Sequence, residues 1–157
     1  MKSGASSGKA AADRTPFRPR GAYRHWTRIG MRWLDNDVYG HVNNTIYYQW
    51  FDTAVNGWLI GEGLLDIRAG DPIGLVVETG CRYARPLAYP GTIEIGLAVA
   101  ALGRSSVTYH LGAFAEDATD AAAEGHFTHV YVGRESRRPI AIPAPWRARI
   151  ESLTPNA

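Results

Sequence analysis

The sequence predicts an α+β fold in which one long helix lies on an antiparallel sheet. Three observations carry this. Between Thr45 and Gly61 the apolar residues Ile46, Tyr47, Trp50, Phe51, Ala54, Val55, Trp58 and Leu59 recur at steps of three and four. That is the period of an amphipathic helix with a wide, deeply packed stripe. From Pro72 onward four stretches read as strands: PIGLVVETGCRYARPLAY, GTIEIGLAVAAL, SSVTYHLGAFAE and EGHFTHVYVG. They are joined by Tyr89-Pro90-Gly91, by Gly103-Arg104 and by the DATDAAA loop, and short connections imply antiparallel neighbours.

Taken in order, the chain opens with a basic leader, MKSGASSGKAAADRTPFRPRG, expected to be disordered over residues 1–20. It lacks the apolar stretch of a secretory signal. A transit peptide is the alternative, although Gly4, Gly8 and Pro16 weaken an amphipathic helix there. One domain is expected over residues 21–157. Ala22 to Trp33 reads as its first strand. Asn43 or Asn44 is suited to cap the long helix and Gly61 to end it. The tail PAPWRARIESL reads as a short helix or an edge segment after Pro145. The other sheet face and the sheet edges then need cover, for which self-association is the usual solution.

Bulk properties narrow the function. A length of 157 residues is enough for one domain with a real core. The net charge of +2 is too small to argue for nucleic acid. Cys81 is the only cysteine, which excludes an internal disulfide and a multi-cysteine zinc site, and a reducing, cytoplasmic compartment is expected. No run of about 18 apolar residues is present to span a membrane.

Polar side chains crowd the segment before the helix, LDNDVYGHVNN. A helix start carries unpaired N–H groups and partial positive charge, suited to an oxyanion. Gly40 permits a tight bend that brings the Asp37 carboxylate back over that start. Ionised at neutral pH, it can serve as a nucleophile on a polarised carbonyl or as a base toward water. Such residues are also ordinary caps and Asx turns, the reading preferred for Asp35. His41 reads equally as a turn residue or a proton shuttle. No Gly-x-Ser-x-Gly elbow offers a serine nucleophile. His126 and His129, three apart on a strand, face opposite sides and cannot chelate a metal together.

The stretch DNDVYGHVNNTIYYQWFD resembles the hotdog-fold acyl-CoA thioesterases of the 4-hydroxybenzoyl-CoA thioesterase type, and its DVYGHVNN core is similar to the bacterial long-chain acyl-CoA thioesterase branch. The likeness continues through VVETGCRYARPLAYPGTIEI, GRSSVTYHL and HFTHVYVGRESRRPIAIP, and so covers about Tyr23 to Leu153.

This resemblance implies a long central helix wrapped by a five- to six-stranded antiparallel sheet. It also implies a homodimer or homotetramer with sites at subunit interfaces, and hydrolysis of an acyl-CoA to free acid and coenzyme A. No metal or cofactor is implied beyond the coenzyme A of the substrate. The catalytic acid falls on Asp37 and the carbonyl-polarising amide near Asn44. Some relatives carry a catalytic histidine where this chain has Asn44, so His41 is taken as an orienting residue.

Glu78 is expected to approach the site from the facing subunit, or else to be an ordinary strand carboxylate. Asn43 and Tyr47 are placed among the substrate-binding residues, Tyr47 beside the acyl tunnel, though Tyr47 also fits core packing. Arg104 with Ser105, and Arg82, are placed at the coenzyme phosphates, for which the guanidinium fork is matched. Arg85, Arg134, Arg137 and Arg138 are further candidates, each also readable as a solvated surface Arg. An acyl-carrier-protein thioesterase and a non-catalytic acyl-CoA-binding module are the alternatives.

Overall fold

The computed structural model describes residues 15–156. Strand β1 (His25–Gly30) leads through a 3-10 turn (Trp33–Asp35) to helix α1 (Asn44–Gly61). Strands β2 (Ile73–Tyr83), β3 (Thr92–Leu102), β4 (Ser106–Ala115) and β5 (Ala123–Val132) follow, and helix α2 (Ala144–Glu151) comes last. The five strands form one antiparallel sheet in the order β1-β3-β4-β5-β2.

All eight apolar positions expected on the helix stripe are the buried residues of α1. They meet inner-face residues such as Ile93, Ile95, Tyr109 and Phe127 in one continuous core. Asn43 is the N-cap, its Oδ1 accepting the Thr45 N–H at 3.0 Å. The helix ends at Gly61, as expected, and the chain beyond it closes the last turn. Gly63, at φ +73°, lets the Leu64 N–H reach the Leu59 carbonyl at 2.8 Å and its own N–H reach Ile60 at 3.0 Å. This paired closure also buries Leu64 against the core that holds Leu59.

The strand order corrects one expectation. Hairpins join β3 to β4 and β4 to β5, but β2 pairs with β5 and not with β3. The connection after β2 does not turn back on itself. It passes over the start of α1, where Leu87 is buried and its carbonyl accepts the Val42 N–H at 2.7 Å. Backbone groups tied to the helix entry are not available for a hairpin.

Strand β2 is therefore an edge, with Leu75, Val76 and Val77 exposed along it. Its register with β5 slips between Val76 and Glu78, leaving Val77 as a bulge. Among the described residues no helix is long and apolar enough to cross a membrane.

The sheet face away from α1 is covered by the N-terminal segment. The Tyr23 ring stacks on His110 at 5.6 Å. A Cβ at Gly96 would fall 2.9 Å from Tyr23 Cβ, and one at Gly112 would fall 2.6 Å from Tyr23 Cζ, so both glycines make room for this ring. Buried Glu124 accepts hydrogen bonds from the Arg18 backbone N–H and, at 3.0 Å, from Arg82. Of the leader expected over residues 1–20, the first 14 lie outside the described residues. Thr15–Arg20 lie against the sheet: the Thr15 carbonyl accepts from Arg82 at 2.9 Å, and the Arg82 guanidinium lies 4.8 Å from the centre of the Phe17 ring.

Candidate active site at the start of the long helix

The segment before α1 is a miniature hairpin. Asn36 bridges to Val42, the Asp37 N–H donates to the His41 carbonyl at 2.8 Å, and Gly40 N–H closes on the Asp37 carbonyl at 3.1 Å. Gly40 sits at φ +80°, the left-handed conformation such a three-residue loop requires. The bend expected at Gly40 is therefore present. It holds the half-buried Asp37 through its own backbone, and Oδ1 accepts the Tyr39 N–H at 2.8 Å.

Asp35, two residues away, plays a different part. Its carboxylate is wholly buried and accepts the Arg32 backbone N–H at 2.6 Å, Arg32 Nε at 3.0 Å and Nη2 at 2.9 Å. Its backbone carbonyl takes the Asn43 N–H at 2.8 Å. Asp35 ties the chain entering the loop to the residue that caps the helix, whereas Asp37 faces outward.

Two hollows flank the helix start. The larger, about 670 Å³, is lined by Trp33, Asn36, Asp37, Val38, Tyr39, Gly40 and Asn43. The other, about 270 Å³, contains His41, Asn44, Tyr47, Tyr83 and Arg85 in its wall. The expected residues Asp37 and Asn43 thus share one hollow, and His41, Asn44 and Tyr47 share its neighbour across the His41–Asn43 segment. Thr45 N–H is capped and Ile46 N–H donates to the Asn43 carbonyl at 2.9 Å, but Asn44 N–H has no partner among the described residues. The first amide of α1 is the free donor of this site.

Tyr83 belongs to the same hollow, although the sequence assigned it no role in the site. Its hydroxyl donates to the Asn44 carbonyl at 2.9 Å, and its ring meets Tyr47 edge-on at 5.1 Å. The Val77 bulge is what turns Tyr83 to the helix-facing side, since unbroken alternation from Gly74 would leave it on the outer face.

The remaining expected residues lie elsewhere in the chain. Glu78 is on the outer sheet face, 3.2 Å from His126 Nε2, and not on the side of Asp37. Alternation counted from Gly74 and Val76 puts it on the inner face, and the Val77 bulge reverses that. Arg82 is also on the outer face, engaged with Glu124, Thr15 and Phe17. Arg104 and Ser105 form the β3–β4 turn at the sheet end opposite the β3 end that adjoins the site, where Met31 N–H donates to the Gly91 carbonyl. Arg104 is exposed there, and the Ser105 carbonyl accepts the Tyr131 N–H at 2.7 Å. His126 and His129 do face opposite sides of β5, His126 half-exposed and His129 buried.

A family model described as the Thioesterase-like superfamily matches residues 31–150. The PA5185 protein of Pseudomonas aeruginosa is 51% identical, with a TM-score of 0.86 over 90% of this chain and 99% of its own. The PA2801 protein of the same organism, described as a candidate thioesterase, is 32% identical, with a TM-score of 0.75 over 80% of this chain and 97% of its own. Slr0204 of Synechocystis, a 1,4-dihydroxy-2-naphthoyl-CoA thioesterase, is alike in fold, at 19% identity and a TM-score of 0.72 over 80% of this chain and 93% of its own. No curated protein matches the sequence. With its five-stranded sheet around α1 in the hotdog arrangement, the chain belongs to the Thioesterase-like superfamily.

Proposed function

We propose that the protein hydrolyses acyl-CoA thioesters, with Asp37 as the catalytic carboxylate and the Asn44 amide as the oxyanion donor. What supports this is a backbone-locked, half-buried carboxylate in the loop that leads into a helix start whose first N–H is free. The thioester carbonyl accepts from Asn44 N–H. Asp37 either takes a proton from the attacking water or itself forms an acyl anhydride that water then opens. The carbon–sulfur bond breaks, coenzyme A leaves as a thiolate that regains a proton, and the free acid departs.

A second copy of the chain completes this site. Strand β2 offers an unpaired apolar edge, which monomers rarely leave long and uncovered. Two-fold antiparallel pairing of β2 edges brings the far sheet end of one copy toward the Asp37 end of the other. That far end carries exposed Arg104, Arg137 and Arg138, suited to the coenzyme phosphates.

The test is coenzyme A release from short, long and aromatic acyl-CoAs by wild type and Asp37→Asn. The substitution keeps the Oδ1 acceptor for Tyr39 and removes the charge. Turnover that falls at least ~100-fold in the variant supports the reading. Equal turnover in both proteins removes Asp37 from the chemistry. No turnover on any acyl-CoA, with turnover on acyl groups linked to a carrier protein, moves the donor.

A further inference from the structure

Four buried side-chain polar atoms have no hydrogen-bond partner among the described residues: Tyr109 Oη, Tyr131 Oη and both ring nitrogens of His129. All belong to the inner face of β4 and β5, where Val107 pairs with His129 and Tyr109 with Phe127. The Tyr109 ring meets His129 edge-on at 5.4 Å. His129 is 3% exposed. Buried polar groups in folded proteins are nearly always satisfied by protein, water or ligand; the two tyrosine hydroxyls are close enough to act on each other, so His129, unpartnered at both nitrogens, is what marks a place where something binds.

The patch borders an exposed part of the sheet. Helix α1 lies over β1, β3, β4 and β5, and the inner-face residues Gly74, Val76, Thr79 and Tyr83 of β2 remain exposed beside it. This trough follows eleven residues of strand, about 35 Å, and one end reaches Tyr83 beside Asn44. Val76 and Tyr83 give it exposed apolar surface, and its length suits a chain better than a single ring. At the other end Gly74 omits the side chain that would cover the patch. A Cβ there would stand 3.3 Å from His129 Nδ1 and 3.6 Å from Tyr131 Cε1.

The chemistry of the orphans selects their partner. Burial pushes the His129 imidazole below the ordinary histidine range, partly offset by Asp52, so at neutral pH it has one N–H and one lone pair. The tyrosine hydroxyls also donate and accept. A carboxylate can only accept and would bury a charge without a cation beside it. A hydroxyl both donates and accepts, as the imidazole does.

We propose that His129, with Tyr109 and Tyr131, forms a subsite for a hydroxyl carried on an aliphatic acyl chain lying in the trough. This rests on the acyl-thioester reading above and names its substrate class, hydroxyacyl chains.

The test uses free acids, so that it needs no turnover. Calorimetry on the full chain measures the dissociation constants of an unsubstituted fatty acid and of hydroxy acids of equal length with the hydroxyl near, midway along or at the far end. Wild type is expected to bind one of the hydroxy acids about tenfold tighter than the parent. His129→Phe, similar in size and free of ring nitrogens, is expected to bring that ratio near one. Gly74→Val, at an exposed edge position, is expected to do the same by covering the patch, and serves if the first variant does not fold. Equal affinities in wild type, a ratio that survives both substitutions, or no acid binding at all overturns the proposal. Coenzyme A release from the matching thioesters, assayed separately, tests the hydrolase reading and fails independently of this ratio.

Discussion

The edge of the Phe51 ring rests on Gly125, where α1 crosses β5. A Cβ at position 125 would fall 2.8 Å from Phe51 Cδ2 and 2.9 Å from the Gly80 carbonyl oxygen. Phe51 is wholly buried, and the Gly80 backbone is part of the sheet, so neither side has room to yield. Gly125→Ala is expected to lower stability by about 1–3 kcal/mol, through overpacking. Urea unfolding checks this. Adding Phe51→Leu should recover part of the loss, and a double-mutant cycle with no coupling would separate the two residues energetically.

Asp35 and Asp37 should respond oppositely to substitution. Asp35→Ala removes a buried acceptor of three hydrogen bonds from Arg32, and is expected to cost about 1–3 kcal/mol of stability. Asp37→Asn is expected to leave the melting temperature nearly unchanged while turnover falls. Thermal melts and coenzyme A release, run on both variants, decide this. A melting loss at Asp37 with intact turnover would exchange their roles.

Acidification should destabilise the fold in two separable steps. His129 is held below its ordinary value by burial, so the unfolded chain binds the proton more readily. Its contribution is complete above about pH 6.5 and is lost as pH falls below that. Burial alone would raise Glu124, but the bonds from His110, the Arg18 N–H and Arg82 outweigh it and hold the carboxyl below its usual range. That contribution is present above the ordinary carboxylate pKa of about 4.3 and is lost as pH falls through the lower folded value. Melting temperature against pH should therefore decline first below pH ~6.5 and again below pH ~4.3. His129→Phe is expected to flatten the first step and Glu124→Gln the second. A first step unchanged in His129→Phe would assign it to another histidine.

The exposed edge gives a prediction about mass. Leu75→Lys combined with Val77→Lys puts two charges on the free edge of β2 without touching the core. Sedimentation is expected to show wild type as a dimer or larger and the double variant near the single-chain mass of 17.2 kDa. Turnover should fall with the mass if two chains make one site. Full activity in a monomeric variant would show that one chain suffices.

Much of this fold was legible because its signals are local. The helix stripe from Ile46 to Leu59 needs only a 3.6-residue period, and the strand segments need only side-chain preference and turn residues. The loop at Asp37 and Gly40 was legible for the same reason. Strand order was not, because the length of the Ala84–Gly91 connection does not say whether the chain turns back or crosses the helix entry. The face that Glu78 occupies was not legible, since an extra residue in a strand exchanges its faces without a mark in the sequence. Arg82 was read as a phosphate ligand, and its partner Glu124 lies 42 residues away. The unpartnered state of His129 depends on tertiary packing alone.

The single free amide at the start of α1 carries a chemical consequence. Thr45 and Ile46 have already committed their N–H groups, so in the proposed reaction one donor would hold the negative charge that develops on the carbonyl oxygen. A site with one donor is best matched to acyl groups that are electrophilic before they arrive. The carbonyl of a thioester gains little resonance from sulfur and meets that condition, whereas oxygen esters and amides start deeper in energy and demand more help. On that proposal, selection for sulfur over oxygen would be set by how the helix is capped: Asn43 spends its side chain on the second amide and leaves the first uncommitted.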